Sequence, residues 1–126
     1  MGRYPLLLLL AGMCFWLTPH TAVADEPSGR IDAEPNPCRI PPGQDVCETF
    51  VRWDTHGVRA AKVFVTAEGR HHAEQKEFRA SLRCEGHDCR ANWIRPETRY
   101  KFELFDFTRG DRGRKLGEVI VHGERE

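Results

Sequence analysis

The chain has 126 residues, a length that suits one domain with a modest core. Its 19 Lys and Arg side chains balance 19 Asp and Glu side chains, so the formal net charge is zero. This balance gives no electrostatic reason to expect nucleic-acid binding, which requires a concentrated basic surface, and we expect no nucleic-acid partner.

The N-terminus has the features of an export signal. Arg3 supplies a positive charge, an apolar run covers residues 6–17, and Ala22-Val23-Ala24 is a small-residue cleavage site. Residues 1–24 are therefore predicted to be a signal peptide. The apolar run, about 12 residues, is shorter than the roughly 20 that cross a bilayer. We expect an exported protein, periplasmic or secreted, with no membrane insertion after signal cleavage.

Cys14 lies inside the apolar run and raises the alternative of a lipoprotein. In that alternative a small residue would precede the lipidated cysteine, whereas bulky Met13 stands there. Apolar residues also continue beyond Cys14. We therefore favour cleavage after Ala24, which leaves a disordered leader at residues 25–29, one domain at residues 30–123 and a polar tail at residues 124–126.

The mature chain carries an even set of four cysteines, which predicts two disulfides in an exported protein. Three pairings are possible, and we favour the two local ones, Cys38–Cys47 and Cys84–Cys89. Turn-forming residues lie between the members of each pair. Structural zinc is the alternative, because the four residues between Cys84 and Cys89 suit a zinc site. Export favours disulfides, and we predict no metal and no cofactor.

The sequence predicts three strands in the first half of the domain. Residues 30–34 form an edge strand, which Pro35 and Pro37 end because proline cannot pair regularly. Residues 46–53 alternate with a period of two, which places Thr49, Val51 and Trp53 inward. The indole N–H of Trp53 then requires a buried acceptor. Residues 60–66 form the third strand, with Phe64 facing outward.

Four further strands complete the prediction. They cover residues 78–82, 91–94, 100–107 and 116–122. In the last two, Tyr100, Phe102, Leu104, Val119 and Val121 face inward, whereas Lys101, Glu103, Phe105 and Ile120 face outward. A helix over residues 73–83 is the alternative for the fourth strand, although no 3.6-residue period supports it. Seven short strands predict an all-β, antiparallel sandwich.

The segment Ile94-Arg95-Pro96-Glu97-Thr98-Arg99-Tyr100-Lys101-Phe102 resembles the L-x-P-x-T-x-Y-x-V segment of fibronectin type III modules. Trp53 matches their core tryptophan, and residues 36–53 resemble the start of immunoglobulin-like and fibronectin-like domains of exported bacterial proteins. The resemblance covers residues 31–121. It implies a seven-stranded sandwich in which the Tyr100 hydroxyl bonds back to the backbone. The Cys84–Cys89 loop departs from the family pattern.

Catalytic and metal-binding patterns are weak. The sequence has no Ser/His/Asp motif and no G-x-S-x-G elbow, so we expect no enzyme and no catalytic residues. Glu103 and Asp106 could serve a glycosidase as a carboxylate pair, but a solvated surface explains them better. His71 and His72 with His87 could bind a transition metal, yet neighbouring histidines on a strand point to opposite faces.

An adhesion tripeptide, Arg109-Gly110-Asp111, lies in the predicted hairpin of residues 108–113, where turn formation also explains it. The favoured ligand-binding residues are Phe64, Phe105 and Ile120. If their strands are neighbours, these outward side chains form an apolar strip, and such strips mark interfaces unless a loop or another chain covers them.

We therefore predict a non-catalytic exported binding or adhesion module for a carbohydrate or protein ligand. Following its signal directly, the domain is expected to act in its own right or through a partner. A structural accessory subunit of an envelope or secreted assembly is the alternative, and fold resemblance alone does not decide between them.

Overall fold

The computed structural model describes residue 2, residues 26–68 and residues 74–126. The predicted signal peptide, with Cys14 and the cleavage site, and the pair His71 and His72 lie outside the described residues. No helix in the described ranges is long and apolar enough to span a membrane.

The described chain is all-β, as predicted, and it forms two sheets. A single 3₁₀ turn, His87–Cys89, interrupts the strands. The strands are β1 (Ser28–Glu34), β2 (Cys38–Ile40), β3 (Cys47–His56), β4 (Ala61–Glu68), β5 (Gln75–Ala80), β6 (Arg90–Ile94), β7 (Arg99–Asp106) and β8 (Lys115–Arg125). One sheet has the order β1-β3-β6 and the other the order β2-β8-β7-β4-β5.

The structure departs from seven antiparallel strands in two respects, and both concern β2. This strand is the eighth, and it runs parallel to the end of β8, where Cys38 faces Gly123. Pro35 and Pro37 end β1 and carry the chain to the other sheet. Three residues are too few to display a period of two, so the pattern of β2 was not recognisable in the sequence.

Strand boundaries also extend beyond the predicted ones. β1 begins at Ser28, so Ser28 and Gly29 pair with β3 rather than belonging to the predicted leader. β8 continues to Arg125, into the predicted tail, because β2 supplies it with a partner there. Residues 75–80 form β5, so the helical alternative for residues 73–83 is wrong.

The core lies between the two sheets, and the predicted inward faces are confirmed. Thr49, Val51 and Trp53 of β3 are buried against the inward side chains of β7. The largest fully buried side chains come from both sheets: Phe102, Ile40, Ile94, Leu104, Val51, Val63 and Val121. The indole N–H of Trp53, which is 3% exposed, donates to the Ser81 carbonyl at 3.0 Å, so the predicted acceptor exists.

Both disulfides form as predicted, Cys38–Cys47 and Cys84–Cys89. The first joins β2 of one sheet to β3 of the other. The second closes the loop between β5 and β6. Two disulfides indicate an oxidising, non-cytoplasmic environment.

The two sides of this pair of sheets differ. On one side β1 packs closely on β8, and a Cβ added to Gly117 would lie 3.2 Å from Cγ2 of Ile31. On the other side β5 and β6 are the edge strands of the two sheets. The gap between these edges is open, and it contains a groove lined by residues of both strands.

Candidate functional site

The structure brings together two of the three predicted ligand-binding residues. β8, β7 and β4 are neighbours, and the rings of Phe64 and Phe105 meet edge to face with centroids 5.9 Å apart. Ile120 pairs with Lys101, four positions along β7 from Phe105, or about 13 Å at the rise of a strand. The predicted strip is therefore interrupted between Phe105 and Ile120.

Arg112 covers the aromatic part of this strip. Its guanidinium carbon lies 4.4 Å from the ring centroid of Phe64 and 4.6 Å from that of Phe105. One of its terminal nitrogens donates to Oε1 of Gln75 at 2.8 Å. Phe105 is 8% exposed as a result of these contacts. The hairpin of residues 108–113 thus covers the rings, one of the two outcomes anticipated for the strip.

The charged side chain of Glu103 lies between Phe105 and Ile120 on this face of the sheet. Its carboxylate lies 3.4 Å from Nζ of Lys115 and 3.8 Å from Nζ of Lys101. Lys115 also donates to Glu118 at 2.8 Å, a bond that lowers the pKa of Glu118 and raises the pKa of Lys115. These carboxylates are occupied by cations of the same sheet face.

The other motifs singled out in the sequence are accounted for locally. Asp106 accepts hydrogen bonds from the amide and hydroxyl of Thr108, so it belongs to the hairpin rather than to a pair with Glu103. Gly110, at a φ of 85°, donates its amide to the Phe107 carbonyl and turns the Arg109-Gly110-Asp111 tip. Within residues 26–68 and 74–126 no group of three His, Cys, Asp or Glu side chains could hold a metal ion.

The groove on the open side has a volume of about 800 Å³, within the range of about 300–1,000 Å³ typical of ligand sites. β5 and β6 form its walls, and the 3₁₀ turn closes part of its rim. Its floor is aromatic, formed by Phe78, Trp93 and Tyr100. Of these three residues, Trp93 is the most exposed, at 36%.

Trp93 is held from below by other aromatic rings. It stacks on the fully buried Phe102 with centroids 6.1 Å apart and an interplanar angle of 29°. Tyr100 and Phe78 meet its edge at 5.2 Å and 6.3 Å. Phe78 in turn contacts Trp53 at 6.1 Å. The exposed indole is therefore the outermost ring of a cluster that begins in the core.

Hydrogen bonds between side chain and backbone fix two rings of this cluster. The Tyr100 hydroxyl accepts the Arg95 amide at 3.0 Å, which is the back-bond that the fibronectin resemblance implies. The bond from Trp53 to the Ser81 carbonyl ties the core end of the cluster to the segment after β5. A platform held in this way loses little entropy when a ligand stacks on it.

The rim of the groove carries charges of both signs. Arg79 donates through Nε to the Asp88 carbonyl at 2.8 Å, and its guanidinium carbon lies 5.6 Å from the Phe78 centroid. Its Nη atoms make no other hydrogen bond among the described residues. Arg90 pairs with Glu48 at 3.0 Å. These bonds orient planar polar groups around the aromatic floor.

Trp93 was not among the site residues predicted from the sequence. It shares a face of β6 with Ala91, which is buried, so alternation places Trp93 in the core. β6 is an edge strand of five residues, and the indole extends past the sheet into the groove. The available signal was a large aromatic residue that follows the polar residues Arg90 and Asn92 on a short strand.

Comparison with protein-family models, with curated proteins and with solved structures found no match to this chain. The site must therefore be interpreted from its own chemistry.

Proposed function

We propose that this protein is an exported, non-catalytic binding or adhesion module, and that its ligand, a carbohydrate or a protein, binds in the groove between β5 and β6. The observation that carries this proposal is Trp93, an indole 36% exposed in a groove of about 800 Å³ and supported by buried rings. Aromatic side chains exposed in this way bury large area on binding at low entropic cost.

The proposal includes an immunoglobulin- or fibronectin-like sandwich. The sheet order β1-β3-β6 matches strands A, B and E of that architecture, and β8-β7-β4-β5 matches G, F, C and C′. The bond between the Tyr100 hydroxyl and the Arg95 amide supports the same assignment, because a tyrosine near the start of strand F makes it in those domains.

The groove is a better candidate than the predicted strip of Phe64, Phe105 and Ile120. A ligand on the strip would first have to displace Arg112 from the two rings. Trp93, by contrast, presents its surface without rearrangement. Binding at the groove therefore avoids the loss of an existing cation–π contact, worth about 0.5–1 kcal/mol at an exposed site.

The alternative, a structural accessory subunit of an envelope or secreted assembly, requires a stable protein interface. Such interfaces bury about 800 Å² on each partner around an apolar centre. In the described ranges the exposed large hydrophobic side chains are Leu82 and Trp93. Two such residues favour a ligand site over a permanent assembly surface.

The matched control for this proposal is Leu82, which is 39% exposed, close to the exposure of Trp93, and does not line the groove. The mature protein and its Trp93→Ala, Leu82→Ala and Phe64→Ser/Phe105→Ser variants are applied to a glycan array and to immobilised cell-envelope material. We expect the Trp93→Ala variant alone to lose retention. Equal retention of the parent and Trp93→Ala, or loss in the Phe64→Ser/Phe105→Ser variant instead, would contradict the site.

A further inference from the structure

We infer that the groove binds a neutral carbohydrate chain, an inference that rests on the proposed function of the groove as a ligand site. Sugar rings have an apolar face of C–H groups and an equatorial ring of hydroxyls. Trp93 offers a flat, rigid surface for the first, because Phe102 supports it from beneath at an interplanar angle of 29°. The polar rim suits the second.

The rim supplies donors and acceptors together. Arg79 and Arg90 present planar donor groups, Asn92 presents an amide with both functions, and Glu74 and Asp88 present acceptors. A hydroxyl donates one hydrogen bond and accepts others, so alternating partners of this kind match it. Ligands of this type are oriented by a few such groups around an apolar surface.

The charges of the rim cancel, which favours a neutral ligand. Arg90 pairs with Glu48 and Glu77 pairs with Lys62, which leaves Lys76 and Arg79 opposed by two carboxylates, those of Glu74 and Asp88, with His87 counted as neutral. An acidic sugar would gain attraction from the cations and lose it to the carboxylates. The groove therefore has no net field that would select an anion.

A polypeptide ligand fits the same groove less well. An extended peptide would add to the free edge of β5, but a register shift opposite Val63 and Phe64 distorts that edge. Lys76 and Arg79 also point from β5 into the groove. Bulges and inward-pointing charges are the devices that protect edge strands from pairing.

The dimensions favour a chain of several sugar rings. β5 has six residues, and a strand rises about 3.3 Å per residue, so its wall extends for about 20 Å. The groove is open toward solvent along this side of the sandwich. A chain can therefore enter laterally and place one ring on Trp93 while its neighbours contact Arg79 and Asn92.

The test is a titration of the mature protein with neutral oligosaccharides, with matched uronic-acid oligosaccharides and with an unstructured peptide library. Calorimetry gives the affinity, and acrylamide quenching reports on the exposed indole, since Trp53 is buried. Circular dichroism verifies that each variant is folded. The variants are Trp93→Ala, Trp93→Phe and the control Leu82→Ala.

We expect a neutral oligosaccharide to bind, to protect Trp93 from quenching and to change little in affinity with salt, because no charges are paired. Trp93→Ala should weaken binding about tenfold or more, and Trp93→Phe should restore part of the loss. Leu82→Ala should bind as the parent does.

Binding of uronic-acid chains alone, with the same dependence on Trp93, would overturn the assignment of a neutral ligand, and binding of peptides alone would overturn the carbohydrate assignment. Either result would leave the groove as the site. Neutral oligosaccharides that bind equally to the parent and Trp93→Ala would overturn the groove itself. Absence of binding to all three probe classes would overturn both.

Discussion

The indole of Trp93 lies over the ring of Phe102 at a centroid separation of 6.1 Å and an interplanar angle of 29°. Phe102 is fully buried in β7, at the middle of the larger sheet. The surface offered to a ligand is therefore oriented by the core and not by a loop. Sites supported by regular strands hold their geometry better than sites on loops.

The two tryptophans of the domain should respond differently to replacement by phenylalanine. Trp53→Phe removes the donor to the Ser81 carbonyl and leaves a cavity, so we expect it to cost about 1–3 kcal/mol of the free energy of unfolding. Trp93→Phe keeps an aromatic ring over Phe102 and should cost less than about 1 kcal/mol. Urea denaturation measures both. Equal costs would mean that Trp93 is a core residue.

The Tyr100 hydroxyl should contribute to stability rather than to binding. Tyr100→Phe leaves the Arg95 amide without its acceptor, for an expected loss of about 1–3 kcal/mol. Thr98→Val is the control, because it removes the nearby bond from the Thr98 hydroxyl to the Pro96 carbonyl at the same bend. If both variants unfold at the same urea concentration, the bond from the Arg95 amide to the Tyr100 hydroxyl has no special role in stability.

The Cys84–Cys89 bridge should support the groove as well as the fold. In the double variant Cys84→Ser/Cys89→Ser, the free energy of unfolding is expected to fall by about 2 kcal/mol, because the unfolded chain is no longer constrained by the bridge. The same variant also frees Asp88, whose carbonyl orients Arg79, so affinity for the ligand should fall. Neither cysteine of the other bridge lines the groove, so Cys38→Ser/Cys47→Ser serves as the comparison. Its free energy of unfolding should fall by about 3 kcal/mol, whereas its folded fraction should keep the affinity of the parent. Equal affinity losses in both double variants would refute this division of roles.

Arg112 should act as a cover for Phe64 and Phe105. Arg112→Ala is expected to increase the fluorescence of a hydrophobic dye and to cost less than about 1 kcal/mol, the magnitude of an exposed cation–π contact. Ligand binding in the groove should not change. Arg109→Ala, an exposed residue of the same hairpin, serves as the control. Dye binding that is the same in both variants would show that the rings are not covered by Arg112.

Strand positions and inward faces were predictable where the sequence alternates for several residues, as in β3 and β7. Thr49, Val51 and Trp53 are buried as expected, and the disulfides join the expected cysteines. β2 was not predictable, because its three residues depend on a partner at the other end of the chain. Long-range pairing of this kind leaves no local pattern.

The site was less predictable than the fold for the same reason. Phe105 faces outward as expected, but whether an outward ring is exposed depends on Arg112, seven positions away in a hairpin whose path the sequence does not specify. The exposure of Trp93 depends on β6 being an edge strand beside β5. Both facts concern neighbours in space and not neighbours in the chain.

The most direct test uses the two indole N–H signals of the mature protein in a ¹H–¹⁵N correlation spectrum. As an oligosaccharide that binds the protein is added, we predict that the Trp93 signal shifts with the ligand concentration and that the signal of the buried Trp53 shifts little. The amides of Phe64, Phe105 and Ile120 should stay in place. A shift of those three amides with an unchanged Trp93 signal would place the ligand on the outer sheet face and contradict the account.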